Sequence, residues 1–158
     1  MKHITKLFIL LIFTLTTVNS SAASKEVRTK HYNLKDGLAL KGYDPVSYID
    51  HNKAVKGKSI YVHTQEGVKY RFSSRANLTK FKASPSKYEP QYGGWCAYAL
   101  SDGNGKVDIN PKRFKVIKGK LYLYYDAFPW GNTLEKWNEG NDAAQIKKAN
   151  SAWKKLLP

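Results

Sequence analysis

Cys96 is the sole cysteine in 158 residues and stands in Tyr-Gly-Gly-Trp-Cys-Ala-Tyr-Ala-Leu, residues 92–100. A lone thiol can ligate a metal, act as a nucleophile or redox group, or fill space as a small apolar side chain. Packing is the first alternative here, because Trp95, Ala97, Tyr98 and Ala99 flank it. The histidines limit the metal chemistry. Beyond the N-terminal leader only His31, His51 and His63 remain, in three segments, and no H-x-x-x-H or C-x-x-C spacing occurs. A closed zinc site with four cysteine or histidine ligands is poorly supplied. The only methionine is Met1, which excludes a methionine-rich copper(I) carrier. A mixed copper or zinc site of Cys96, His63 and an oxygen from Asp44 or Tyr43 stays open. Each has an ordinary alternative: Asp44 as a helix cap, His63 as an exposed strand residue, Tyr43 as core.

Nucleophilic catalysis at Cys96 would need a base, and His63 is the one candidate, with no local signature to support it. Twelve acidic residues offer few paired carboxylates. Gly93-Gly94 lacks the strand–glycines–lysine order of a phosphate loop. The residues favour binding over catalysis, with thiol redox or nucleophilic activity at Cys96 as the alternative.

The elements that must position these residues are short. Leu38–Leu40 reads as a strand ending in a turn at Gly42. Asp44-Pro45 is a strong helix start, with aspartate as cap and proline in the first turn, and that helix ends near His51-Asn52. Ser59–Thr64 and Val68–Phe72 read as a hairpin, with Tyr61 and His63 on one face and Ile60 and Val62 on the other. Ser73-Ser74 caps a helix to Ala83, and Ser84-Pro85 starts a helical turn to Tyr88. The stretch 92–100 fits a buried strand or a buried helical turn, its glycines permitting close backbone approach or a positive φ. Phe114–Ile117 and Lys120–Tyr125 form a second hairpin about Lys118-Gly119. In it Leu121 and Leu123 share one face, Tyr122 and Tyr124 the other. After Pro129 the chain turns helical: one segment contains Leu134 and Trp137, and a last helix, capped by Asp142, aligns Ile146, Ala149, Trp153 and Leu156. Hairpins and helices without a βαβ rhythm predict a single α+β domain of small antiparallel hairpins and short helices.

Residues 1–23 read as a signal peptide: a basic start at Lys2, His3 and Lys6, an apolar run over 7–18, then small residues to Ala23. The run is too short to span a membrane, so no span is expected after cleavage. Export to the periplasm or the medium follows, with residues 24–37 a loose lead-in and 38–158 the domain. Without Lys2 and Lys6, 25 basic side chains face 12 acidic ones, a charge of about +13 that suits anionic envelope surfaces. The lysines are scattered, which argues against a nucleic-acid groove and for a solvated basic surface.

Three blocks together resemble the YHS-domain family, in particular its exported single-domain bacterial members: "KGYDPVSY" (41–48), "YRFSSRANLTKFKASPSKYEPQYGGWCAYAL" (70–100) and "VIKGKLYLYY" (116–125). The resemblance runs from about Leu38 to the last helix. It implies a compact α+β fold and a role in binding copper or another heavy metal. On the matching positions it implies ligand contacts from Tyr43, Asp44, Gly93, Gly94 and Tyr98, and metal ligation by Cys96 and Asp44, with His63 on a neighbouring strand. The chain departs from the family pattern after "LYL", where Tyr124-Tyr125-Asp126-Ala127-Phe128-Pro129-Trp130 replaces an expected asparagine-tyrosine pair. The combined expectation is an exported binding domain with its pocket at Cys96, taking a soft or borderline metal ion or a small molecule. A cationic envelope protein without catalysis is the other reading.

Overall fold

Strand alternation organises the first half of the chain. In the computed structural model, which describes residues 20–129 and 131–158, strands β1 (Leu34–Lys35), β2 (Leu38–Ala39), β3 (Lys58–Gln65) and β4 (Val68–Phe72) form one sheet in the order β1-β2-β4-β3. The β2–β4 pairing is parallel and the others antiparallel. Successive side chains of a strand point to opposite faces, so Val68, Tyr70 and Phe72 are fully buried while Lys69 and Arg71 turn outward. Helix α3 (Arg75–Ala83) covers the inner face. Its Phe81 ring lies 4.8 Å from Tyr70 and 5.1 Å from Phe72. Helix α2 (Pro45–His51) adds Val46 and Tyr48 to this core, and the one-turn α4 (Pro85–Tyr88) adds Tyr88.

The second hairpin, β5 (Asn110–Ile117) and β6 (Lys120–Tyr124), divides two cores. Leu121 and Leu123 enter the first with Val46, Phe72 and Phe81. Tyr122 and Tyr124 enter a second with Tyr92, Leu100, Trp137 and Ala149. The two faces read from the sequence are both buried because helices lie on both sides. Helix α5 (Ala97–Ser101) packs on α7 (Asp142–Leu156), with α6 (Thr133–Asn138) beside them and a minimal ladder, β7 (Asp126–Ala127) with β8 (Gly131–Asn132), between hairpin and α6. The architecture is α+β, as expected.

Residues 24–37 are not a loose lead-in. Helix α1 (Ser20–His31) runs through them, followed by β1. Arg28 anchors the helix: it is 8% exposed, bonds Glu89 through both terminal nitrogens, and lies 3.4 Å from a Glu66 oxygen. Glu89 also accepts the Tyr70 hydroxyl at 3.1 Å. These partners lie 38 and 61 residues downstream of Arg28, so the local polarity of the segment hides its burial. The last helix is capped by Asn141, whose side chain accepts the Ala144 N–H at 3.0 Å, and not by Asp142. Asp142 is committed elsewhere, accepting Trp137 Nε1–H at 2.6 Å and Lys115 Nζ at 2.9 Å. The expected signal falls mostly on residues 1–19, outside the described residues, as does Trp130 of the segment that departs from the family pattern. No described helix is long and apolar enough to cross a membrane.

Candidate functional site

Cys96 is fully buried at the start of α5, where it serves as the N-cap. Its backbone N–H reaches Val107 O at 3.0 Å and it bridges Leu123 of β6, which ties the α5 turn to the hairpin. The sulfur meets Ala99 N–H at 3.5 Å, Tyr125 N–H at 3.4 Å and Thr133 Oγ1 at 3.4 Å. Thr133 decides where the proton goes. Its Oγ1 accepts Tyr125 N–H and donates its single hydrogen to Tyr125 O, both at 2.9 Å. The Cys96 S–H is then the donor to Thr133 Oγ1, and the sulfur accepts the two amides. Every polar direction of this thiol is used by the protein.

Those partners are also the wall of a cavity. Ala99, Tyr125 and Thr133, with Tyr98, Val107, Asp102, Asn104 and Lys136, enclose about 280 Å³ one layer from the sulfur. Tyr98 and Tyr125 supply aromatic surface, and Tyr125 is held by its hydroxyl donating to Phe128 O at 3.1 Å. Burial lifts the Tyr98 phenol above its ordinary pKa, and the Asp102 and Glu139 carboxylates push the same way. Tyr98 is therefore a neutral phenol at pH 7. Asn104 donates to Asp102 at 2.9 Å, whereas Lys136 pairs with no described carboxylate.

Of the residues singled out from sequence, only Tyr98 lines this cavity, with Cys96 behind its wall. Asp44 is elsewhere and fully occupied. One carboxylate oxygen accepts Val46 N–H at 2.9 Å and Ser47 N–H at 3.4 Å as the cap of α2. The other accepts Ser73 N–H at 2.8 Å, Ser73 Oγ–H at 2.6 Å and Asn77 Nδ2–H at 2.7 Å. Tyr43 packs against the first core, with the Lys56 ammonium 4.8 Å from its ring centre. His63 sits on β3 opposite Tyr70, its ring edge-on to Phe81 at 6.1 Å.

Gly93 and Gly94 both have positive φ, +59° and +86°. The close approach at Gly93 is made by Tyr32: a Cβ there would lie 2.5 Å from the Tyr32 ring. Its carbonyl accepts Asn33 N–H at 2.9 Å. The glycine pair thus docks the α1–β1 connection, away from the Cys96 cavity, which neither glycine lines.

A copper or zinc site made of Cys96, His63 and Asp44 does not fit this arrangement. Among the described residues, no group of three or more His, Cys, Asp or Glu side chains converges to hold a metal. Asp44 has no free oxygen direction, and the Cys96 sulfur already faces three protein groups. The residues that the sequence reading passed over are Thr133, Val107, Asn104 and Lys136. Thr133 carries a local signal, since Asn132-Thr133 opens a helix as cap and first residue, but nothing local aims its hydroxyl at Cys96. Tyr125 belongs to the segment that departs from the family pattern, and that segment borders the cavity. Comparison with protein-family models, with curated proteins and with solved structures finds no match for this chain.

Proposed function

We propose that this chain is an exported binding domain that takes a small organic ligand in the cavity between Tyr98 and Tyr125. One observation carries the reading: the three groups that hydrogen-bond the Cys96 sulfur are also the cavity wall. Cys96 acts as a buried keystone that holds Ala99, Tyr125 and Thr133 in register, so the pocket is preorganised rather than formed around the ligand. The volume stands at the small end for organic ligands, below the roughly 300 Å³ of a typical pocket. Two phenol rings and Val107 suit a ring or short apolar group, and Asn104 and Lys136 suit an oxygen-bearing substituent. The donor chemistry places such a molecule ahead of a metal ion, because the thiol offers no open direction.

Amide spectra of the mature domain, titrated with benzamide and benzyl alcohol as probes, test this. Saturable shifts at Ala99, Tyr125 and Thr133 are expected, together with their loss in Tyr98→Ala. Shifts confined to other surfaces, or binding unchanged in Tyr98→Ala, would refute the pocket. Stoichiometric zinc or copper(I) retained by the native protein and lost in Cys96→Ala would restore the metal reading. Export is checked by sequencing the mature N-terminus, expected at Ser24 or one residue earlier.

A further inference from the structure

The outward face of the first sheet forms a second concave site, independent of the Cys96 cavity. Strand pairing sets Lys35 against Leu38, Leu38 against Lys69, and Val62 against Arg71. These side chains line a cleft of about 740 Å³, closed by Leu40, Lys41, Lys56, Asp108 and Ile109. The segments supplying Lys41 and Lys56, on either side of α2, are clamped to each other and to β4. Gly57 N–H bonds Gly42 O at 2.9 Å, a Cβ on Gly57 would lie 2.6 Å from the Arg71 backbone, and Lys56 Nζ bonds Lys41 O at 2.8 Å. The backbones that carry Lys41, Lys56 and Arg71 are therefore fixed relative to one another.

Charge accounting shows an imbalance. Five cationic side chains line the cleft against two carboxylates, Asp36 and Asp108. Asp108 is already taken by Lys41 at 2.7 Å, Asn33 at 2.9 Å and Ile109 N–H at 2.8 Å. No described carboxylate forms an ion pair with Lys35, Lys56, Lys69 or Arg71. Arg71 is half-buried in the cleft wall, and its planar guanidinium can give two parallel N–H bonds to an oxyanion. Between the cations Leu34, Leu38 and Val62 provide an apolar surface, backed by the buried Leu40 and Ile109.

We propose that this cleft binds a phosphate group carried on an apolar moiety, the phosphate on Arg71 with Lys35, Lys69 or Lys56 and the apolar part on the leucine–valine surface. Calorimetric titration of the full domain with hexyl phosphate and with inorganic phosphate tests it. Hexyl phosphate is expected to bind saturably and about tenfold more tightly than inorganic phosphate, since burying even a few methylenes contributes that much. Arg71→Gln and Lys35→Gln are each expected to weaken hexyl phosphate by about tenfold, while Lys147→Gln on α7 leaves it within about twofold. Vesicles of phosphatidylglycerol in phosphatidylcholine separate the sources of the phosphate. Arg71-dependent vesicle binding assigns the cleft to lipid headgroups, and Arg71-dependent hexyl phosphate binding without it assigns the cleft to soluble phosphates. Absence of saturable binding, or equal weakening by Arg71→Gln and Lys147→Gln in chains whose circular dichroism is intact, overturns the site. Tyr98→Ala leaves this binding unchanged, so failure here and failure of the Cys96 cavity are separable.

Discussion

Replacing Asp44 with asparagine should unfold much of the stability margin without touching either cavity. The Asp44 carboxylate receives five hydrogen bonds, two on one oxygen from α2 and three on the other from Ser73 and Asn77. The residue is fully buried. In asparagine one oxygen becomes an NH₂ group, which must face donors whichever way it is flipped. Pointing it at α2 is the milder choice: it removes the helix cap, at about 1 kcal/mol, and leaves the Val46 N–H facing a donor, at about 1–2 kcal/mol more. The three bonds kept on the remaining oxygen lose their charge assistance, partly offset by the lighter desolvation of a neutral amide. The expected loss is about 3 kcal/mol for Asp44→Asn and about 4–5 kcal/mol for Asp44→Ala, a large share of a typical 5–15 kcal/mol margin. For a domain of this size the asparagine variant should melt about 10–15 °C lower. Urea denaturation followed by circular dichroism is the assay, with the denaturant slope unchanged if the folded state stays native. The exposed Asp36→Asn serves as a control, expected within about 0.5 kcal/mol of the parent. A loss below about 1 kcal/mol in Asp44→Asn would show that the carboxylate is not the hub described here.

Alkaline pH should unfold the domain through its tyrosines. Burial pushes the Tyr48, Tyr70 and Tyr124 phenols up. Their folded pKa values exceed the unfolded one of about 10, so this stability is complete below pH 10 and is lost as pH rises through the folded values, by up to about 1.4 kcal/mol per pH unit per group. Phenolate absorbance should show a class that ionises only with loss of circular dichroism, and a single titration near pH 10 by a folded chain would contradict this. The buried Cys96 thiol should react with Ellman's reagent at the rate of protein opening, faster in denaturant, and fast stoichiometric labelling in buffer would refute its burial. Cys96→Ala should cost about 1–3 kcal/mol by stranding the Ala99 amide and leaving a small void, while the Tyr125 amide keeps Thr133 Oγ1; the urea midpoint reads it, and no change would remove the keystone role. Gly93→Ala should destabilise more than Gly94→Ala. The latter meets only the left-handed backbone penalty of about 1–2 kcal/mol, while the former also collides with Tyr32; equal melting temperatures would argue otherwise.

Much of the scaffold is legible one residue at a time. Asp44-Pro45, Ser74, the two hairpin turns and the alternation in Leu121–Tyr124 each encode their element through local chemistry, and each is found where those signals put it. Helix α1 escapes such a reading because its anchor, Arg28, finds its partner, Glu89, 61 positions along the chain, only once the sequence between them has folded. The carboxylate of Asp44 and the thiol of Cys96 are both conspicuous in the sequence. Nothing local reveals that five donors from three elements surround the first, or that Thr133 takes the proton of the second. The sequence by itself determined the α+β class, the caps of α2 and α3 and the strand faces, while the cap of α7 fell one residue before the expected Asp142. Tertiary structure alone decided that Asp44, His63 and Cys96 stand in separate surroundings, that Gly93 yields space to Tyr32, and that cations spaced along four segments converge on one cleft. The division follows from range: caps, turns and alternation depend on neighbours within a few residues, whereas a site depends on which distant side chains packing brings together.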